Sequence, residues 1–366
     1  MNAWLARLPW LDLSGTRSQA LDADGLQVDG PLTLDGVHLT RSHEAGVVSL
    51  VEARIGGHLD LDNAVITNNS GPALAADRLR AGSNFRLDHA QLSGSGASGA
   101  VRLNGAHISG QLNLENAVIT NDSGPLLILE DATVSGTAFI SVKMICAEPT
   151  HGSSCAHPSR VALDGFTFVD LMRSTWWEWL HVVQCHTSFY RPQPYQQLAA
   201  TERFSGNDNN ARQILITQQQ DLHKRAPQAL GGWWTRRFHR LWGVLAGYGY
   251  RARRTAIALL LALLIAGALG FWAGQVPTNG NHRAAERTAT FTSEQGGLCS
   301  TVELIGVGLD RGLPLSPTGV RTRCDLNAGT LWGQAFTVAI WLVQAAIWGL
   351  ATLALAGYTG LIRKTA

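Results

Sequence analysis

The first 165 residues alternate apolar and polar positions in short bursts that return at regular intervals. LTLDGVHL, VSLVEARI, LDLDNAVI, FRLDHAQL, VRLNGAHI and LNLENAVI share the form apolar-x-Leu-x-x-small-x-Leu/Ile. Period-two alternation over so few residues, punctuated by Gly, Asn and Asp, predicts short strands rather than helices. Leucines recur at Leu21, Leu34, Leu50, Leu61, Leu74, Leu87, Leu103, Leu114 and Leu127, with spacings of 13, 16, 11 and 13 that then repeat. Residues 62–72, DNAVITNNSGP, return at 115–125 as ENAVITNDSGP, an offset of 53. Equivalent strands stacked period on period would bury the leucines and leave the polar residues outside, as in a β-solenoid. A sandwich of the same strands is the competing fold, and near identity at a fixed offset favours the solenoid. Asn68, Asn69, Asn121 and Asp122 fall at equivalent turn positions and read as corner residues whose side chains bond local backbone.

Further along, the period changes. Clustered aromatics in DLMRSTWWEWLHVVQCHTSFYRPQPY lead to a helical pair over Gln193–Phe204 and Asp208–Arg225, separated by Ser205-Gly206-Asn207. Ala211, Leu215, Gln218 and Leu222 share one stripe of the second helix, and Asn207 or Asp208 is its N-cap. Such a pair could end the solenoid or couple it to a membrane. Two charge-free runs come next, Thr255–Ala273 and Phe336–Tyr358, each close to the ~20 apolar residues that cross a bilayer as a helix. The expected architecture is a mainly β solenoid (β-helix), an α-helical connector and a two-helix transmembrane region. Its boundaries are an N-terminal cap over 1–20, a solenoid over 21–168 with a 53-residue period and a connector with a basic juxtamembrane segment over 169–254. A first span follows over 255–273, an extracytoplasmic loop over 274–335, a second span over 336–358 and a cytoplasmic tail over 359–366.

Charge orients this arrangement. Only 15% of the 366 residues are charged and the net charge is +2, but the balance is segregated. Residues 1–221 hold 22 acidic and 14 basic side chains, residues 222–254 hold eight basic and none acidic, and residues 255–330 hold five of each. Arg251, Arg253 and Arg254 precede the first span and Arg363 and Lys364 follow the second, so the positive-inside rule puts both termini in the cytoplasm of a multi-pass plasma-membrane protein. Trp233, Trp234, Trp242, Trp272 and Trp332 are placed as interfacial anchors. The N-terminus lacks the long apolar stretch of a signal peptide. Small residues recur at Ala262, Ala266 and Gly270 in the first span and at Ala345 and Gly349 in the second, a spacing that lets helix backbones approach. The expectation is a packed hairpin, with a homo-oligomer as the alternative.

Candidate chemistry is sparse. Gly94-Ser95-Gly96-Ala97-Ser98-Gly99 matches a dinucleotide-binding glycine pattern, but strand-like repeat sequence follows where a helix is required, so it reads as an inter-coil turn. Cys299 and Cys324 fall in the outer loop, where oxidation is permitted, and are expected to form a disulfide. Cys146, Cys155 and Cys185, with His151, His157, His181 and His186 near them, lack the compact C-x-x-C pairing of a structural zinc site and read as packing residues. Asp60, Asp62, Asp88 and Glu115 recur too regularly to separate repeat chemistry from a catalytic groove. No catalytic, cofactor-binding or metal-binding residue is assigned, and no cofactor is expected.

The repeat unit GAVRLNGAHISGQLNLENAVITN, PYQQLAA with ARQILITQQQDL, GYGYR before the first span, CSTVELIGVGLDRGLPLSPTGVRTRCDL and the terminal AGYTGLIRK together carry a family likeness. Over nearly its whole length the chain resembles actinobacterial membrane proteins with pentapeptide-repeat-like β-solenoids and two C-terminal membrane helices, often labelled membrane-associated oxidoreductases. The resemblance implies this fold and carries over no catalytic residue. The oxidoreductase label finds no cofactor fingerprint, redox thiol pair or nucleophile–base signature in these residues. The functional expectation is a membrane-anchored scaffold or regulator, with the bilayer and a protein docked on the solenoid as partners and no nucleic acid. Through Gly165 the solenoid carries 17 acidic and 10 basic residues, which favours a basic partner. The alternatives are an oligomeric channel with Leu298–Leu309 as a re-entrant segment and Glu303 or Asp310 as a charged ring, and a membrane-associated enzyme.

Overall fold

The computed structural model describes residues 7–149, 160–237, 239, 252–278, 282–288, 297–313 and 319–358. The chain divides into two compact units, Met1–Leu230 and Gly231–Ala366.

The first unit is a parallel β-solenoid of about four coils closed by helices. One coil is made by the strands Val48–Ser49, Arg54–Ile55, Leu59–Asp60 and Val65–Asn68, four short sides separated by tight turns. Every side pairs in parallel with its counterpart in the next coil: Gln27 with Arg54, Arg54 with Arg80, Arg80 with His107, His107 with Thr133. Between Gln27 and Thr133 a coil is therefore 26 or 27 residues, and the 53-residue echo spans two coils, not one. The region expected to be a cap already belongs to the stack, with Arg7 paired to Gln27, Leu11 to Leu32 and Arg17 to His38. The last solenoid strand runs to Met172.

Each side turns two residues inward, two positions apart, such as Leu59 with Leu61 and Ala64 with Ile66, all fully buried. Along the stack, one inward column reads Ala23, Leu50, Ala76, Leu103 and its neighbour reads Leu26, Ala53, Leu79, Ala106. Where one column is large the other is small, so each coil holds a similar volume and alternate coils interlock. The corners carry positive φ, at Gly25, Glu52, Arg78, Gly105 and Asp131 along one edge, and backbone amides there donate from coil to coil: Glu52 to Asp77 (2.8 Å) and Arg78 to Asn104 (2.7 Å). Asn68 is almost fully buried. Its Nδ2 donates to the carbonyls of His43 and Pro72, and its Oδ1 accepts from the amides of His43 and Ser70. Asn121 repeats the pattern towards Gly96 and Pro125.

An open stack would present an unpaired strand edge. Here α1 (Val142–Ile145) begins an excursion away from the stack, and the chain returns at Val161–Ala162. α2 (Trp176–Cys185), started by a Thr175/Glu178 capping box, buries Trp179. α3 (Gln193–Phe204) and α4 (Asp208–Arg225) have the bounds expected from the sequence. α3 supplies the end cap: Gln193 Nε2 donates to Phe166 O (2.9 Å), just before the last strand, and Gln197 Nε2 to Phe168 O (2.6 Å) on it, while Gln193 Oε1 accepts the Gly165 amide. Behind it, buried Tyr195 donates to Asp221 at 2.7 Å, and Arg225 joins Asp221 to the carbonyls ending α2. The helical pair thus ends the solenoid.

In the second unit, α5 (Ala252–Ala273) and α7 (Leu331–Tyr358) are long and apolar enough to cross a membrane, and 22% of the most apolar window of each is buried. Both start a few residues before the charge-free runs. Between them, α6 (Thr301–Gly312) and an antiparallel pair, Ala285–Arg287 with Cys324–Leu326, enclose a core of Ala273, Leu304, Val307, Phe336 and Ile340. Cys299 and Cys324 are disulfide-bonded, with Cα atoms 6.3 Å apart.

Candidate functional site

One side of the solenoid differs from the others in chemistry. Along it the second residue of each strand points inward (Val28, Ile55, Ala81, Ile108) and the first points out, which makes an outer column of Gln27, Arg54, Arg80 and His107. The chain then turns through Asp29-Gly30, Gly56-Gly57, Gly82-Ser83 and Ser109-Gly110. A Cβ on Gly56 would lie 2.2 Å from the Asp29 carbonyl oxygen, and one on Gly82 2.2 Å from that of Gly56. At Gly56 and Gly82 a side chain would have to displace the coil beneath, whereas the next coil carries Ser109 at the equivalent position. The result is a shallow groove of about 480 Å³, floored by bare backbone and flanked by Arg54, Arg80 and His107, with Gln27 and Asp29 at one end.

Arg54 and Arg80 are exposed and have no ion-pair partner among the described residues. Three other arginines of these coils are engaged, Arg78 with Glu52 (2.5 Å), Arg86 with Asp60 and Asp62, and Arg102 with Asp77, whereas Arg17 and Arg41 are likewise exposed without an ion pair among the described residues. Four of the solenoid's acids, Glu52, Asp60, Asp62 and Asp77, are thus engaged within it. The regularly spaced carboxylates are part of this lattice. Asp62 accepts the Asp88 amide (2.8 Å), Asp88 accepts from Asn116, and Glu115 pairs with Arg173 (2.7 Å). Burial pushes the Asp62 carboxyl above its ordinary range, against the Asp88 amide. At the glycine-rich motif, Gly94 ends a strand, Gly96 and Gly99 lie in a positive-φ turn, and the strand Val101–Arg102 follows, so the motif is an inter-coil turn.

A second cluster lies under the end cap. Cys146, at the end of α1, meets His181 of α2 and His186 just beyond it, and all three are buried. One ligand atom from each lies within 4.8 Å of the other two. Cys146 Sγ is 3.9 Å from His181 Nε2, and Cys185 Sγ is 3.7 Å from His181 Nδ1. Cys155, His151 and His157 lie outside the described residues. Sequence spacing hid this convergence, because 35 positions, including two returning solenoid strands, separate Cys146 from His181.

In the second unit, the small-residue stripes divide. Ala266 and Gly270 of α5 receive α6: a Cβ on Gly270 would fall 2.3 Å from Leu304 O, and one on Gly308 2.1 Å from Ala266 O. Ala262 and Ala266 also meet Ile347 of α7. The α7 contact face is Phe336, Ile340, Val343, Ile347 and Leu350, whereas Ala345 and Gly349 are exposed and open space surrounds Gly349. The second stripe therefore does not close the hairpin, because bulky residues on another face of α7 make that contact. The carboxylates considered for a charged ring are occupied: Glu303 accepts the Ser300 amide in a capping box and faces Arg287, and Asp310 pairs with Arg321 at 2.6 Å. Trp233, Trp234, Trp272, Trp332 and Arg254 are exposed, and Arg237 stacks over Trp233 at 5.1 Å. Trp242, Arg251, Arg363 and Lys364 lie outside the described residues, as does the side chain of Arg253.

Comparison of the chain with family models, with curated proteins and with solved structures finds no match.

Proposed function

We propose that this protein is a membrane-anchored scaffold whose β-solenoid docks an acidic segment of a partner protein along the groove between Arg54, Arg80 and His107. The observation that carries the reading is the pair of exposed arginines stacked one coil apart, with no ion-pair partner among the described residues. Strands in a sheet are ~4.8 Å apart, so paired positions on adjacent strands bring two like charges to one face, where they repel. The fold keeps them there while Arg78, Arg86 and Arg102 nearby are paired with carboxylates. A partner carboxylate relieves that repulsion, and the bare glycine floor leaves room for a main chain to approach. The sign is opposite to the one net charge suggests, because the outer column that flanks this groove is Arg54, Arg80 and His107 whatever the balance of the other sides.

The anchor is the second unit. On α5, Ile257, Leu260, Leu261, Leu264 and Ile265 are exposed, and on α7, Val338, Trp341, Leu342 and Trp348. A continuous apolar surface of this kind is suited to lipid. In this reading the cationic segment before α5 lies against anionic headgroups, and the solenoid is cytoplasmic.

The test uses the full-length chain in lipid nanodiscs with a fluorescent oligoglutamate peptide and a matched oligolysine peptide. The oligoglutamate is expected to bind preferentially, and Arg54→Glu with Arg80→Glu to weaken it at least tenfold, about 1.4 kcal/mol or more. Equal binding to the double variant, or a preference for oligolysine, would refute this docking face.

A further inference from the structure

We propose that Cys146, His181 and His186 form a binding site for a zinc-class divalent ion that fastens the excursion from the solenoid to its capping helix. One thiol and two imidazoles are the donors such an ion takes. All three are nearly excluded from solvent, at 3%, 3% and 1% exposure, where an ion-binding group otherwise serves no groove or membrane role. Tetrahedral bonds of ~2.3 Å to sulfur and ~2.0 Å to nitrogen put those two ligand atoms about 3.5 Å apart. The Cys146 Sγ to His181 Nε2 distance of 3.9 Å needs to close by only a few tenths of an ångström. His181 is also oriented for the task. Cys185, one turn later on the same helix, stands 3.7 Å from Nδ1 and is placed to accept the proton there, which leaves the Nε2 lone pair turned towards Cys146. A partner on the far nitrogen that fixes tautomer and ring direction is the usual support of a metal-binding histidine. Cys185 is thus a positioning residue, outside the ligand set.

The location gives the site a purpose. Between Thr133 and Thr167 the coil-to-coil offset grows to 34 residues, because the chain leaves the stack after Ile140 and returns at Val161. Cys146 belongs to this excursion, whereas His181 and His186 belong to the cap, and the His186 carbonyl accepts the Val161 amide at 2.8 Å where the chain returns. An ion held by all three ties departure, return and cap at one point. Binding exchanges the Cys146 S–H bond for a sulfur–metal bond and releases that proton to solvent, so affinity rises with pH.

The experiment measures metal content of the full-length protein, purified in detergent without chelator and without a histidine tag. About one zinc per chain is expected. Cobalt(II) exchanged into the wild type is expected to give a thiolate-to-cobalt charge-transfer band, and Cys146→Ser to abolish that band. His186→Gln should lower metal content at least tenfold, while Cys185→Ser keeps the ion with reduced affinity. The wild-type cobalt spectrum does not depend on any variant folding. Wild-type protein with negligible zinc and no thiolate–cobalt band, or a folded Cys146→Ser that retains the band, would overturn the site and leave three packed side chains.

Discussion

The bare groove floor is a structural necessity as well as a candidate docking surface, and Gly82→Ala tests it. Gly82 has no positive φ, so an alanine there meets no intrinsic backbone penalty; its cost comes from the coil beneath. The new methyl carbon would lie 2.2 Å from the Gly56 carbonyl oxygen and 2.9 Å from its carbon, against roughly 3.3 Å for a tolerable carbon–oxygen contact. Relief requires the two coils to part by about 1 Å at this corner, where Gly82 N donates to Ile55 O at 2.7 Å and Ser83 N to Gly57 O at 3.1 Å. Weakening two such bonds costs about 0.5–1.5 kcal/mol each, and residual overpacking about 1–3 kcal/mol. The sum of about 2–6 kcal/mol falls on one inter-coil interface, the element from which solenoid stability is built. The matched control is Gly36→Ala: its φ of +63° costs about 1–2 kcal/mol, and nothing lies within 4 Å of the added carbon. Thermal unfolding followed by the strand circular-dichroism band should show Gly82→Ala melting at least roughly 4 °C below wild type, at about 2–4 °C per kcal/mol for a unit of this size. A Gly82→Ala protein no less stable than Gly36→Ala would refute the close-approach account.

The complementary Leu/Ala columns predict coupling between Ala76→Leu and Leu79→Ala: each alone should destabilise, by about 1–3 and 2–5 kcal/mol, and the double variant by at least 0.5 kcal/mol less than the sum, measured by urea unfolding. Reduction should expose two further thiols on titration, and Cys299→Ser with Cys324→Ser should lower the melting temperature of the second unit, since closing a 25-residue separation contributes about 3–4 kcal/mol. Asp122 has its carboxyl held below the usual range by the Gly96 amide, then by Ser123 and Ser95. A depressed carboxylate stabilises above its unfolded pKa and loses that contribution as pH falls through the folded one. Wild type should therefore lose more stability than Asp122→Asn between neutral pH and pH below about 4, and identical pH profiles would contradict the assignment.

Much of the fold was written locally, and the hidden part was written across coils. Short alternating bursts with Asn and Gly at their ends specify strands and corners, and the stripe of Ala211, Leu215 and Gln218 specifies α4. The coil length escaped because the sequence repeats every two coils. A leucine at 50 is matched by an alanine at 76 and a leucine again at 103, so identity returns only when the large–small alternation has completed its cycle. The groove escaped for a related reason. Arg54, Arg80 and His107 are scattered in the chain and meet only when strands stack in register, as Cys146 and His181 meet only when the cap folds over the excursion. Helix-packing glycines were visible as a stripe, but one stripe does not name its partner. Gly270 receives the short α6 rather than the second long helix.

The cysteines bear on the proposed topology. Cys299 and Cys324 are oxidised to a disulfide in the segment between the two long helices, whereas Cys146 of the first unit is a thiol outside any disulfide. A structural disulfide persists in an oxidising compartment, while a buried thiol that is to bind a metal has to stay reduced. A single compartment serves one of these demands and works against the other. Two membrane crossings satisfy both, because they return the chain to its starting side and leave only the intervening segment on the far one. The charges agree with that assignment: residues 222–254 are wholly basic in their charge, while the segment between the spans is balanced. The proposed topology, with the solenoid and its groove in the cytoplasm and the disulfide-tied segment on the far side, is the arrangement in which the disulfide, the charge balance and the exposed apolar faces of α5 and α7 are compatible with one another.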